Sequence, residues 1–186
     1  MDKTYRTELR RIFLIEALPE PLTRASAHIQ LFDNYIAGTR LRLRSVRDPE
    51  SRDWNRILQQ HTPASENDLS AWKVAEIYLN EAEYAHFEIF EGTEIRKNRY
   101  FHEFSGKMIS FDVYLGKLWG LNIAIVEFEE KSEMENFVVP SFAAFEVTND
   151  VFFTGSSLVE KKFDEIQSHL AAIDAQPIAA SSSPED

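Results

Sequence analysis

The chain contains no cysteine, which excludes disulfides, thiolate-ligated zinc and a thiol nucleophile. It lacks a basic stretch running into an apolar one near its start, and no apolar run approaches transmembrane length. The expectation is a cytoplasmic protein with no membrane partner. There is no His-x-x-x-His pair and no HExxH. His28, His61, His86, His102 and His169 therefore read as surface or packing residues rather than metal ligands. The glycine-rich phosphate loops G-x-x-x-x-G-K-[ST] and G-x-G-x-x-G are missing, and so is the nucleophile elbow G-x-S-x-G. Positive charge is short overall. Residues 1–60 carry 11 Lys and Arg against 8 Asp and Glu, whereas 61–186 carry 9 against 23. Such an acidic chain makes a poor nucleic-acid binder, because phosphate contacts dominate that affinity. A basic site for a small polyanion is still compatible with it.

What the chain has in quantity is aromatic residues: 14 Phe, 6 Tyr and 3 Trp among 186 residues, a composition suited to strands. Its length fits one domain with a sizeable core, over 1–173, followed by a small, polar and disordered tail at 174–186. Strands are predicted at 5–16, 28–36, 38–46, 54–61, 71–79, 94–104, 107–115, 121–130 and 143–150. Turns fall at Gly38, Ser105-Gly106 and Gly116 to Gly120. A short helix is predicted before His28. Asn80 with Glu83 three residues on forms a capping box for a helix over 81–90. The longest helix is predicted over 156–175, capped by Ser157 and Glu160, with Val159, Phe163, Ile166, Leu170 and Ile173 as its apolar stripe. The fold class is mainly β (α+β), an antiparallel barrel-like sheet with a few flanking helices. Trp54, Trp72 and Trp119 read as packing residues.

Charge recurs on single strand faces. In "TRLRLR", Arg40, Arg42 and Arg44 share a face; three guanidiniums there repel one another unless anions lie opposite. A solvated edge face accounts for this pattern about as well as a site does. Lys97 and Arg99 share a face, as do Ile123, Ile125, Glu127 and Glu129, and Glu146, Thr148 and Asp150. Near the start, Glu8, Arg10, Ile12 and Leu14 form one mixed face. A closed barrel could turn these faces inward, cations toward phosphate and carboxylates toward Mg2+.

The order "ELRRIFL", "GTRLRLR", "YLNEAEY", "IRKNRY", "FDVYLGKLWGL", "IAIVEFE" and "FEVTND" resembles the CYTH-domain proteins, the triphosphate tunnel metalloenzymes, over Tyr5 to Leu158. The resemblance implies an eight-stranded antiparallel β-barrel with a tunnel. It implies a triphosphate or other small polyanion held by tunnel Arg and Lys, and Mg2+ or Mn2+ held by Glu. Carried over by position, it assigns Arg42, Arg44, Lys97 and Arg99 to phosphate, joined by Arg10. It assigns Glu8, Glu127, Glu129 and Glu146 to the metal, if metal binding is retained. Four positions depart from the pattern. Arg10 replaces a Glu, Ile12 and Gln60 replace Lys, and Ile125 replaces a Glu. Three readings follow: a degenerate tunnel that binds a phosphorylated anion with little or no hydrolysis, an active Mg2+- or Mn2+-dependent triphosphatase, and a structural barrel in which Glu8 and Arg10 pair internally.

Overall fold

A computed structural model describes residues 5–90 and 92–174. Strands β1 (Arg6–Leu14), β2 (His28–Ile36), β3 (Leu41–Arg47), β4 (Trp54–Ser65) and β5 (Asp68–Leu79) precede helix α1 (Glu81–Phe87). Then follow β6 (Gly92–Phe104), β7 (Lys107–Tyr114), β8 (Asn122–Phe128), α2 (Lys131–Glu135), β9 (Phe145–Glu146), α3 (Gly155–Leu158) and α4 (Phe163–Asp174). The sheet runs β5-β4-β3-β2-β6-β7-β8-β1, and β1 also pairs with β5, so eight antiparallel strands close into a barrel. Strand β9 lies outside it, on β1. Closure removes the open edges that an eight-stranded sheet would otherwise expose.

Local signals set the connections. Ser105 and Gly106 both have positive φ, which suits the two-residue hairpin between β6 and β7. Asn80 accepts from the Glu83 backbone, and the Glu83 side chain accepts from the Asn80 backbone, completing the capping box of α1. No helix in the described residues is long and apolar enough to cross a membrane.

Three elements differ from the sequence expectations. Residues 17–27 form turns rather than a helix, since Pro19 and Pro21 remove donors and bias their predecessors toward extended backbone. The strand at 143–150 shrinks to Phe145–Glu146; beyond it Val147 donates to the Ile12 carbonyl, and Asp150 caps a 3-10 turn at Val151–Phe153. The long C-terminal helix is two helices. Ser157 lies inside α3, and α4 starts afresh, with the Lys162 N–H bonded to Glu165. Phe163 is exposed at that junction, while Val159 and Ile166 are buried. The expected tail beyond Asp174 lies outside the described residues.

Two apolar clusters frame the barrel. Phe13, Ile109, Phe111, Ala124 and Val126, on one face of β1, β7 and β8, pack with Met134 of α2 and with Phe137 and Phe142 beyond it. The second joins Leu14, Ile95, Tyr114 and Ile123 to Phe153, Leu158, Val159 and Ile166. The 3-10 turn, α3 and the start of α4 thus pack as one unit against the barrel wall.

Candidate functional site

Alternation along each strand sends one set of side chains into the barrel. A cavity of about 600 Å³ is lined by residues from all eight barrel strands. Its described lining holds seven cations (Arg6, Arg10, Arg40, Arg42, Arg44, Lys97 and Arg99) against five carboxylates (Glu8, Asp33, Glu66, Glu76 and Glu127). The cavity is therefore cationic inside an acidic protein.

Strand register explains how so much positive charge is tolerated. Asp33 stands directly across from Arg44 on β2 and β3, and Asp112 directly across from Arg99 on β6 and β7. Arg44 donates to both Asp33 oxygens, at 2.6 and 2.7 Å, and Arg42 lies 3.6 Å from the same carboxylate. Arg99 likewise grips Asp112 at 2.6 and 2.8 Å, and Lys97 approaches it at 2.7 Å. Each cation-x-cation motif thus shares one buried aspartate, with Asp33 1% and Asp112 0% exposed. Each trio keeps one net positive charge for a ligand.

Burial works against both carboxylates, but Arg44 and Arg42 for Asp33, and Arg99 and Lys97 for Asp112, hold them well below the usual carboxylate range. Burial also opposes the Arg44 and Arg99 charges; Asp33 and Asp112 outweigh it and raise both guanidiniums. Lys97 behaves differently. Burial pulls its ammonium down to about 8, with Arg99 and Arg44 adding to that effect against the pull of Asp112.

Arg42 is held mostly by neutral groups. It donates to Gln59 Oε1 at 2.7 Å, to Tyr35 Oη at 3.2 Å and to His61 Nε2 at 3.1 Å. Burial and then Arg42 depress His61 to about 2, so the ring is neutral and accepts through Nε2. Gln59 passes the network on, donating to Glu76, which also accepts from Arg6. Arg6 in turn bonds Glu8, and Glu8 lies 3.6 Å from Arg10. The Arg10 guanidinium sits 4.8 Å from the Trp72 ring centroid. Its Nε is buried without a hydrogen-bond partner among the described residues, and burial lowers its pKa.

No protein-family model matches the chain, and no curated protein matches it. Among solved structures, a crystal structure of NE1496, described as a hypothetical protein, aligns at TM-score 0.57 and 20% identity, over 83% of this chain and 99% of that one. A second, described as the inorganic triphosphatase NE1496, aligns at TM-score 0.56 and 22% identity, over 83% and 95%. The fold is shared with NE1496. At these identities the likeness is one of backbone fold.

Within that lumen, Arg10, Arg42, Arg44, Lys97 and Arg99 all line one cavity, as do Glu8 and Glu127. Glu129 and Glu146 do not. Glu129 follows the end of β8 and is exposed, and Glu146 is on the other side of β1, bonded by Arg11 at 2.9 and 2.5 Å. The proposed metal set is therefore split. Of its two cavity members, Glu8 is engaged by Arg6 and Arg10, while Glu127 makes no ion pair through its carboxylate among the described residues. No group of three or more His, Asp or Glu is placed to hold a metal ion among the described residues. A hard cation such as Mg2+ or Mn2+ requires several oxygen donors, and this donor set does not fit one.

One of the four substituted positions, Gln60, does not face the cavity, whereas its neighbours Gln59 and His61 do. The cause is register. Gln59 stands across from Arg42, so it shares that residue's face. Trp72 is buried as expected, but Trp54 and Trp119 are half-exposed and stack under Arg56 and Arg24.

Gly155 lies so close to Tyr35 that a Cβ would overlap the phenol oxygen and Cζ. Gly155→Ala should displace Tyr35 and break its bond to Arg42. The expected result is a several-fold loss of anion affinity with modest loss of stability, checked by calorimetric titration and thermal unfolding of the variant.

Proposed function

We propose that this chain is a CYTH-type triphosphate tunnel protein that binds a phosphorylated anion in the barrel without a divalent metal and with little or no hydrolysis. The ligand class is a triphosphate or another small polyanion. The observation that carries this reading is the pairing pattern. Two cation pairs each keep a net positive charge over a shared aspartate, and most lining carboxylates are tied to arginine rather than grouped for a metal. Arg42, whose hydrogen-bond partners are neutral, keeps a guanidinium charge suited to phosphate oxygens. Arg10, 3.6 Å from Glu8, adds a further cation to the lining.

An active metal-dependent triphosphatase is the second reading. It is favoured by the fold shared with the inorganic triphosphatase NE1496 and by Glu127 in the lumen. Phosphate release from inorganic triphosphate, ATP and thiamine triphosphate, with and without Mg2+ or Mn2+, separates the two. The expected result is no release above background; metal-dependent turnover at ordinary enzyme rates of roughly 1 per second or faster overturns the proposal.

The depressed Lys97 gives this binding a pH signature. A bound polyanion favours the ammonium and raises its pKa again. Binding above pH 8 then takes up a proton, so the Lys97 contribution to affinity is complete below about 8 and is lost as pH rises above it. Titrations at a series of pH values should show that decline, and Lys97→Met should flatten it.

A further inference from the structure

The cavity is not polar all round. Ile12 and Ile125 stand directly across from each other on β1 and β8, both facing the lumen. Ile95, Tyr114, Ile123 and Phe153 also line the cavity, and all six belong to or pack on the same apolar cluster. Ile95, Tyr114, Ile123 and Phe153 are buried, so the apolar wall open to a ligand comes chiefly from Ile12 and Ile125, which are partly buried and pack against that cluster. The cations lie further along the same lumen: Arg10 two residues before Ile12 on β1, Lys97 and Arg99 beyond Ile95 on β6, and Arg42 and Arg44 on β3.

A bare polyanion is poorly matched to such a wall. Its charge gains nothing from aliphatic surface and loses water there. A lumen of about 600 Å³ falls in the range of pockets that enclose organic ligands, which bury an apolar body and fix it with a few polar groups. From the mixed lining we infer that the physiological ligand is a phosphate or diphosphate ester of an aliphatic chain, its phosphates on the Arg and Lys and its chain on the isoleucine wall. This rests on the anion-binding reading above and adds the class of the substituent. Four of the six wall residues are isoleucine, which favours a branched aliphatic group over a nucleobase, whose ring edges need hydrogen-bond partners.

The test compares inorganic diphosphate with its five- and ten-carbon prenyl esters, dimethylallyl and geranyl diphosphate, titrated calorimetrically in EDTA against the full chain. Burying even part of a five-carbon group should tighten binding by about tenfold or more over inorganic diphosphate. Ile125→Asn should remove most of that gain while changing inorganic diphosphate affinity less than about threefold. Ile125→Thr is the milder variant if the first does not fold. Equal affinity for the esters and inorganic diphosphate overturns this inference and leaves the anion site standing. Tighter ester binding that neither Ile125 variant reduces also overturns it, because the chain then lies elsewhere. Failure of all three ligands to bind overturns the anion site itself.

Discussion

Asp112→Asn is expected to destabilise the folded protein by about 3–5 kcal/mol, the cost of leaving buried cations without their counter-charge. Asp112 is fully buried and serves Lys97 and Arg99 together. Asparagine keeps the shape and one acceptor but removes the charge that offsets two cations. Urea unfolding should show the loss as a lower midpoint with an unchanged slope. Asp112→Asn with Lys97→Met should recover part of it, because one of the orphaned charges is gone. The same carboxylates set the acid limit. Both Asp33 and Asp112 titrate well below their unfolded value of 3.8. Their contribution is therefore complete above about that pH and is lost as pH falls below it toward the folded values. The wild-type melting temperature should drop steeply below pH 4.

Arg42→Gln should weaken polyanion binding by roughly 10- to 150-fold, the equivalent of about 1.5–3 kcal/mol for one charge-assisted hydrogen bond. Among the cavity cations Arg42 is weakly compensated. Its closest partners are Gln59, Tyr35 and His61, and Asp33 is 3.6 Å away and already gripped by Arg44. Its charge is thus available to a ligand while its position is fixed. Folding should be less affected than in Asp112→Asn, since the hydrogen-bond partners left behind are neutral and Asp33 keeps both bonds to Arg44. Arg40→Gln, at an exposed position where the side chain donates to Thr62, serves as the control and should cost less than about threefold. Titration of each variant with inorganic triphosphate provides the comparison.

The barrel was legible because nearly every strand carries its own two-residue alternation and turn residues, and the order of charged faces narrowed the topology further. The cation set was legible for the same reason: Arg42, Arg44, Lys97 and Arg99 sit at clean alternate positions. The counter-charges were not read. Asp33 in "LFDNYI" and Asp112 in "ISFDVYL" are lone carboxylates in otherwise apolar strands, and that isolation was the available signal. Gln59 was misplaced because two glutamines stand side by side, so local pattern cannot say which faces inward; only pairing with Arg42 decides it. Glu146 was misplaced for a different reason. Its segment pairs with β1 outside the barrel for only two residues, so its side chain never joins the inward-facing set. The long helix split at 159–162 because tertiary packing of α3 on Tyr35 and the apolar cluster overrode a periodic pattern that ran on without a break.

The central claim is that the lumen binds a polyanion through its own arginines and lysine, with no need of a divalent cation. It is tested most directly by titrating the protein with inorganic triphosphate in EDTA and again with excess Mg2+. Saturable binding is expected in EDTA, at least as tight as with Mg2+, and sharply weakened in Arg42→Gln. Binding that appears only when Mg2+ or Mn2+ is present would contradict it.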